Sequence, residues 1–309
     1  METVYAAFQR TAAAHGEMPF LHVPAPRNVA LTYGEARDRV EATARRYRSR
    51  GYGRGHRVAL QLGNRPEFLI HFLALNSLGA AVVPLNPDYR KAELDYVLAH
   101  SEAAPVVTQG AISGEFDPPA APRPVGAEEC ALLYTSGTTG KPKGCLLSNF
   151  YFLNIARAYL AQGGLCEVRH GAERLITPLP LFHMNALAVS TTAMILAAGC
   201  VVQLDRFHPS TWWQTVRSER ATIAAANVTD PAGCRGTAAT SPRWRSAATA
   251  AAWPPARGTA PSGCGTPPRG RRSTRSPPSG RRSGGWPSPP TAPAWPPPWT
   301  TRPSGCGTR

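Results

Sequence analysis

The chain has 309 residues, enough for two domains, with 42% apolar residues and a formal net charge of +15. That charge is uneven: Met1 to Ile223 carries 22 Lys and Arg against 18 Asp and Glu, whereas Ala224 to Arg309 carries 12 Arg, no Lys and one Asp. After Asp230 there is no Leu, Ile, Val, Met, Phe, Tyr, Lys, Glu, Asp, Asn, Gln or His, a composition that excludes a packed core because too little apolar surface is available to offset backbone ordering.

In chain order, Met1 to Arg10 lacks a basic segment followed by an apolar one, so no secretory signal is expected. Thr32-Tyr-Gly-Glu35 matches a capping box. Ala36, Val40, Ala44 and Tyr47 then recur at helical spacing until Gly51, which suits the position just past a helix end. A strand is predicted at Arg57 to Leu62. Pro66 opens a helix whose Phe68, Leu69, Phe72, Leu73 and Leu75 leave little polar face before Gly79, so it is expected to be buried against a sheet. The apolar stretch Leu69 to Leu85 is interrupted by His71, Asn76, Ser77 and Gly79, and reads as core helix and strand with no membrane span. A strand at Ala80 to Pro84, a helix at Lys91 to Leu98 and a strand at Val106-Val107 complete an alternation that predicts a parallel sheet with helices packed on it.

The Pro- and Gly-bearing stretch Ile112 to Val125 reads as a loop leading into a strand at Ala131 to Tyr134. Beyond a glycine-rich string come a strand at Cys145 to Leu147, a helix at Asn149 to Gln162, a strand at Leu175 to Thr177 and a helix at Met184 to Ala197. A strand at Cys200 to Leu204, a helix at Ser210 to Glu219 and the start of a strand at Ala221-Thr-Ile223 follow. Trp212 and Trp213 on that last helix are read as packing residues. The seven cysteines show neither a C-x-x-C pair nor His at metal-ligand spacing, so no metal site is expected, and reduced thiols of a cytoplasmic protein are the expectation.

The glycine-rich string is Tyr134-Thr-Ser-Gly-Thr-Thr-Gly-Lys-Pro-Lys-Gly144. Its small residues let backbone N–H groups curl around an anion, its hydroxyls hydrogen-bond phosphate oxygens, and its lysines supply positive charge. It is not a Walker A loop: only two residues separate Gly137 from Gly140, and Pro142 follows Lys141 where a Mg²⁺-binding Ser or Thr would stand. A short Gly/Thr hairpin alone would be an ordinary surface turn, but eleven residues in this order after an apolar strand point to a polyphosphate site.

This string resembles the phosphate-binding motif of the adenylate-forming superfamily, which includes acyl-CoA synthetases. The resemblance extends over roughly residues 1–223, through Leu31-Thr-Tyr-Gly-Glu35, Gly79-Ala-Ala-Val-Val-Pro-Leu-Asn-Pro87 and Pro178-Leu-Pro-Leu-Phe-His183. It implies an α/β fold, the N-terminal large-domain portion of such a ligase with sheets flanked by helices. The implied reaction joins a carboxylate to the α-phosphate of ATP, releases pyrophosphate, and passes the acyl group to coenzyme A. Thr135, Ser136, Gly137, Thr138, Thr139, Gly140, Lys141 and Lys143 would bind the β- and γ-phosphates, and Lys143 and His183 would act in catalysis, with Phe182-His183 lining the acyl and adenylate site. ATP, Mg²⁺, CoA and a small-molecule carboxylic acid are the implied cofactors and partners. Phe182-His-Met-Asn-Ala186 and Asp205-Arg-Phe-His-Pro209 look most like ligases for carnitine-type or other small to medium acids. Two departures stand out: Cys145 replaces the usual branched aliphatic and is expected to pack, and Asn149 stands where the family often has His, which bears on contacts behind the loop.

All 79 residues from Pro231 to Arg309 are Pro, Ala, Gly, Ser, Thr, Arg, Cys or Trp, the eight types that G or C at the second codon position can encode. A GC-rich gene read one frame over would give such a peptide. Residues 224–309 are therefore expected to be a disordered tail of out-of-frame origin, which would leave a sheet edge unpaired near residues 221–223. The competing expectation is a basic tail that binds nucleic acid through Arg269-Gly-Arg-Arg272 and Arg281-Arg282. It is weaker, since RNA binding does not explain the complete absence of Lys, Asn and Gln. The family's Mg²⁺-holding Glu, ribose-binding Asp and C-terminal catalytic Lys have no counterpart, as there is no acid after Asp230 and no Lys after Lys143. Little or no adenylation is expected, and a nucleotide-binding remnant without catalysis is the third reading.

Overall fold

The computed structural model describes residues 2–110, 119, 121–122, 129–135, 141–164 and 167–225, and the backbone of 245–246. The sequence readings for Ile112 to Val125 and for nearly all of 224–309 thus fall largely outside the described residues.

Two N-terminal elements, α1 and a β-hairpin, go unassigned by sequence pattern. Helix α1 (Val4–Ala14) is capped by Thr3, whose side chain accepts from the Ala6 N–H, and it buries Val4, Ala7, Phe8 and Ala12 on one stripe. Strands β1 (Pro19–Val23) and β2 (Val29–Thr32) pair antiparallel. Helix α2 (Tyr33–Ser49) starts with the expected capping box: the Glu35 N–H donates to Thr32 Oγ1 at 3.1 Å and the Thr32 N–H to Glu35 Oε2 at 2.9 Å. Gly51 follows its end at φ +94°, a left-handed conformation that favours glycine.

The alternation then gives β3 (Arg57–Gln61), α3 (Pro66–Ser77), β4 (Ala81–Pro84), α4 (Lys91–Ser101), β5 (Val106–Thr108), β6 (Glu129–Thr135) and β7 (Lys143–Ser148). These strands form one sheet in the order β5-β3-β4-β6-β7, parallel except for β7. Helix α3 is buried from Phe68 to Asn76, as its all-round apolar character requires. Arg57 on β3 makes a two-pronged ion pair with Glu129 at the start of β6, both contacts at 2.9 Å, and also donates to the Ser101 carbonyl at the end of α4.

Helix α5 (Asn149–Leu160), β8 (Arg174–Thr177), α6 (Thr192–Leu196), β9 (Cys200–Gln203), α7 (Trp212–Ser218), β10 (Ile223–Ala224) and β11 (Arg245–Ser246) follow. The second sheet runs β11-β10-β8-β9-β1-β2, parallel except for β2. One hydrophobic core runs through both sheets, from Phe8 and Phe20 through Phe68 and Phe72 to Phe152 and Val201. The α/β expectation holds.

Three expectations need correction. The edge expected to be unpaired near residues 221–223 carries β11, which pairs in parallel with Ile223 and Ala224. The continuous helix expected over Met184 to Ala197 opens as a π-helix, Asn185–Thr191, before α6. Its cause is local: the Thr191 hydroxyl donates to the Ala186 carbonyl at 2.7 Å and the Thr192 hydroxyl to the Leu187 carbonyl at 3.1 Å, each five residues back, so the backbone turn widens. Cys145, expected to pack, is exposed because β7 is the sheet's edge strand.

Candidate functional site

The glycine-rich string is the connection of the β6–β7 hairpin. Thr135 faces Lys143 and Tyr134 faces Gly144 in the register, so residues 136–142 span the hairpin's end. Thr135, Lys141 and Lys143 are exposed there, and Ser136, Gly137, Thr138, Thr139 and Gly140 lie outside the described residues. Two ammonium groups two positions apart in the chain, with a threonine opposite one of them, suit an anion with several oxygens. Gly144 sits in close packing: a Cβ there would lie 2.9 Å from Leu132 Cδ1 and 3.2 Å from Tyr134 Cζ. The Tyr134 ring thus lies across the start of β7, and its hydroxyl shares a 2.7 Å hydrogen bond with His100 Nδ1. Burial, the main influence, raises the Tyr134 pKa and keeps that hydroxyl protonated.

His183 belongs to the other sheet. The segment Pro178 to Phe182 leaves the C-terminal end of β8, the end of a parallel sheet where ligand crevices form. His183 closes a turn by donating its N–H to the Pro180 carbonyl at 3.0 Å, and its own carbonyl accepts from the Leu187 N–H at 3.1 Å, an ordinary four-residue helical bond at the entry to the π-helix. Its ring lies 4.6 Å from that of Phe182. His183 is exposed, and partial desolvation by the protein on its other side lowers its pKa from the ordinary 6.5.

The residue that fixes this segment is Asn64, in the turn after β3. Its Nδ2 donates to the carbonyls of Leu204 at 2.7 Å and Leu179 at 3.2 Å, and its Oδ1 accepts from the Leu181 N–H at 2.9 Å. Fully buried Gln203 donates to the Thr177 and Leu179 carbonyls, each at 3.1 Å. Sequence pattern singles out neither residue. The available signal for Asn64 was a Gly-Asn pair at a strand's C-terminal end.

The structure sets Thr135, Lys141 and Lys143 at one hairpin, with His183 on the neighbouring sheet. Helix α5 joins the two groups: it begins directly after β7, and the Tyr151 hydroxyl contacts Met184 Sδ at 2.9 Å, next to His183. Asn149 is buried, and its Oδ1 accepts from the Val4 N–H at 3.0 Å and from Asn76 Nδ2 at 2.9 Å, so it anchors the start of α1. Trp212 is buried against Ile176, Val202 and Val216 and Trp213 packs beside it, in keeping with a packing role. Among the described residues no group of three or more His, Cys, Asp or Glu could hold a metal ion. No helix among them is long and apolar enough to cross a membrane.

The family model for AMP-binding enzyme matches residues 8–124 and 110–229. A feruloyl-CoA synthase from Amycolatopsis sp is 33% identical over 240 residues, covering 71% of this chain and 47% of the relative. A crotonobetaine/carnitine–CoA ligase from Citrobacter koseri is 26% identical over 233 residues, covering 62% and 44%. The crystal structure of the N-terminal domain of FACL13 from Mycobacterium tuberculosis superposes with a TM-score of 0.62 at 25% identity, covering 72% of this chain and 62% of that one. The chain spans about half the length of the curated relatives it matches.

Proposed function

The chain belongs to the AMP-binding enzyme family, and from that membership we propose that it carries the ATP-polyphosphate-binding half of a carboxylate–CoA ligase. The observation that carries this reading is the pair Lys141 and Lys143, exposed at the end of the β6–β7 hairpin with Thr135 opposite Lys143.

In the proposed reaction a carboxylate oxygen attacks the α-phosphorus of ATP, the bond to the β-phosphate oxygen breaks, and pyrophosphate leaves with the electron pair. The thiol of CoA then displaces AMP to give the thioester. Residues Thr135 to Lys143 hold the β- and γ-phosphates, and the two ammonium groups meet charge that grows on the departing pyrophosphate. Mg²⁺, when bound, neutralises phosphate charge. His183, exposed and with its pKa lowered by partial desolvation, presents a hydrogen-bonding edge to the acyl or adenylate group. The acyl substrate is proposed only as a small to medium carboxylic acid.

In this reading the chain binds polyphosphate but adenylates little or not at all, since residues after Asp230 contain no carboxylate and none after Lys143 is Lys. Residues 224–309 are read as out-of-frame translation. What supports that reading is that the family match stops at residue 229 and the eight-letter composition starts at Pro231. Sequencing the gene across codons 220 to 232 tests it: a confirmed sequence with no alternative frame restoring apolar patterning downstream would refute it.

Calorimetry with inorganic tripolyphosphate tests the site. Lys141→Ala and Lys143→Ala should each weaken binding roughly fivefold, the worth of an exposed charge contact near 1 kcal/mol. Binding unaffected by both changes would remove the site. Pyrophosphate exchange with a panel of carboxylic acids tests the inactivity, and robust turnover would overturn it.

A further inference from the structure

Helix α4 takes no part in the chemistry just described, yet one of its faces meets both ends of the glycine-rich connection. Tyr96 and His100 are four residues apart, so they project from the same side of the helix. Their rings stack at 5.7 Å and 26°. The Tyr96 hydroxyl donates to the Pro142 carbonyl at 3.3 Å, and Lys141 Nζ lies 5.7 Å from the centre of the Tyr96 ring. His100 meets the other strand: its Nδ1 shares the 2.7 Å hydrogen bond with the Tyr134 hydroxyl, and the two rings sit edge to face at 5.7 Å and 80°. Tyr134 in turn lies across Gly144.

The contacts close a circuit: from Gly144 to Tyr134, across to His100, along α4 to Tyr96, and back to Lys141 and Pro142, two residues before Gly144. The helix that closes it is itself fixed. Val97 and Ser101 are buried, and Arg57, paired with Glu129 at the start of β6, holds the Ser101 carbonyl at 3.0 Å. The loop's two ends are therefore tied to a single rigid element that is tied again to the foot of the same strand.

We propose that Tyr96 and His100 are positioning residues for the polyphosphate site, holding Lys141 and the hairpin base in the geometry that receives the anion. This inference rests on the reading of the hairpin under Proposed function. The physical case is preorganisation. A lysine ammonium on four rotatable bonds loses rotamer freedom when it engages a phosphate, and a ring beneath it together with a pinned Pro142 carbonyl means part of that freedom is lost before the ligand arrives. A cation over an aromatic face keeps its outer side free for an anion. Neither Tyr96 nor His100 needs to touch the phosphate.

The test compares the full chain with Tyr96→Phe, Tyr96→Leu, His100→Gln and His100→Ala. Three quantities are measured: affinity for inorganic tripolyphosphate by calorimetry, the Lys141 ε-methylene proton shift by NMR, and the melting temperature. In the unchanged chain the Tyr96 ring should move the Lys141 resonance upfield. Tyr96→Leu should abolish that shift and weaken tripolyphosphate binding about three- to tenfold, the range expected for one cation–π contact plus one neutral hydrogen bond. Tyr96→Phe, which keeps the ring, should retain the shift and lose less affinity, and His100→Gln should recover what His100→Ala loses. Affinity unchanged in both Tyr96→Leu and His100→Ala overturns the inference, as does loss that follows melting temperature alone with no recovery in the glutamine variant. If the unchanged chain shows the Lys141 shift yet binds no tripolyphosphate, the polyphosphate reading itself falls, and the positioning role with it.

Discussion

Replacing Asn64 with alanine probes the junction on which the placement of His183 depends. The side chain makes two short hydrogen bonds of good geometry, to the Leu204 carbonyl at 2.7 Å and from the Leu181 N–H at 2.9 Å, and a longer one to the Leu179 carbonyl. Each of the two short bonds is worth about 1 kcal/mol net. Leu181 is only 1% exposed, so its orphaned N–H would add an unsatisfied-donor cost of about 1–2 kcal/mol. The expected loss is therefore about 3 kcal/mol, read as a lower urea midpoint at unchanged slope. Asn64→Asp keeps the acceptor for Leu181 but faces a carboxylate with the Leu204 carbonyl, so it should not restore stability. In both variants the His183 ring resonances should shift, because the segment that carries the ring has lost its tie to the neighbouring sheet. A loss under about 0.5 kcal/mol with unmoved His183 signals, the level expected of an unremarkable surface change, would refute the reasoning.

Glu129→Ala should destabilise the chain by about 3 kcal/mol in the same denaturation assay, because it leaves the Arg57 guanidinium buried without its carboxylate. The NMR titration midpoint of His183 should fall below 6.5. The group's folded pKa is depressed, so its contribution to stability is complete above pH 6.5 and declines as the pH falls through the folded midpoint; a midpoint at or above 6.5 would contradict the assigned desolvation. Peptide mapping after brief treatment with a thiol reagent should find Cys145 modified and Cys130 and Cys200 spared. Cys145 is exposed, whereas the other two are buried, with desolvation pushing the Cys200 thiol up to about 11 and the Cys130 thiol higher still.

What the sequence displayed and what it hid divide by the range of the interactions involved. The capping box at Thr32 and Glu35, the left-handed Gly51 and the helix behind Pro66 rest on neighbours within a turn, and all three are legible in the linear pattern. Helix α1 is less so, since two of its four buried positions are alanines and the apolar stripe has little contrast. The π-helix depends on hydroxyls reaching five residues back, which a 3.6-residue template misses; the available clue was the Ser190-Thr-Thr192 run inside an apolar helix. Asn64 and Asn149 were opaque for a different reason. Their decisive partners lie 117 and 145 residues away in the chain, and no local pattern names them. The glycine-rich string identifies a family, but its own sequence does not reveal Tyr96 and His100 as the residues at its base.

The long-range contacts also change the weight of the chain's departures from its family's pattern. Asn149, just after the glycine-rich hairpin, is one position where the sequence reads as departing from the family's pattern, with an expected effect on contacts behind the loop. Asn149 instead faces inward, where its carbonyl oxygen takes the Val4 N–H and an Asn76 N–H, while Asn76 takes the Tyr5 N–H at 2.9 Å. Two asparagines thus satisfy the first donors of α1 and tie that helix to α3 and α5. Because α5 is continuous with β7 at one end and touches Met184 through Tyr151, the same anchor steadies the strand that begins at Lys143 and the turn that begins at His183. Asn149 therefore acts on the start of α1 and on α5, among the described contacts, and not on Lys141 or Lys143 directly. A lesion at Asn149 should accordingly lower stability and disturb His183 while leaving tripolyphosphate affinity near that of the unchanged chain, the reverse of the pattern expected for Lys141 and Tyr96.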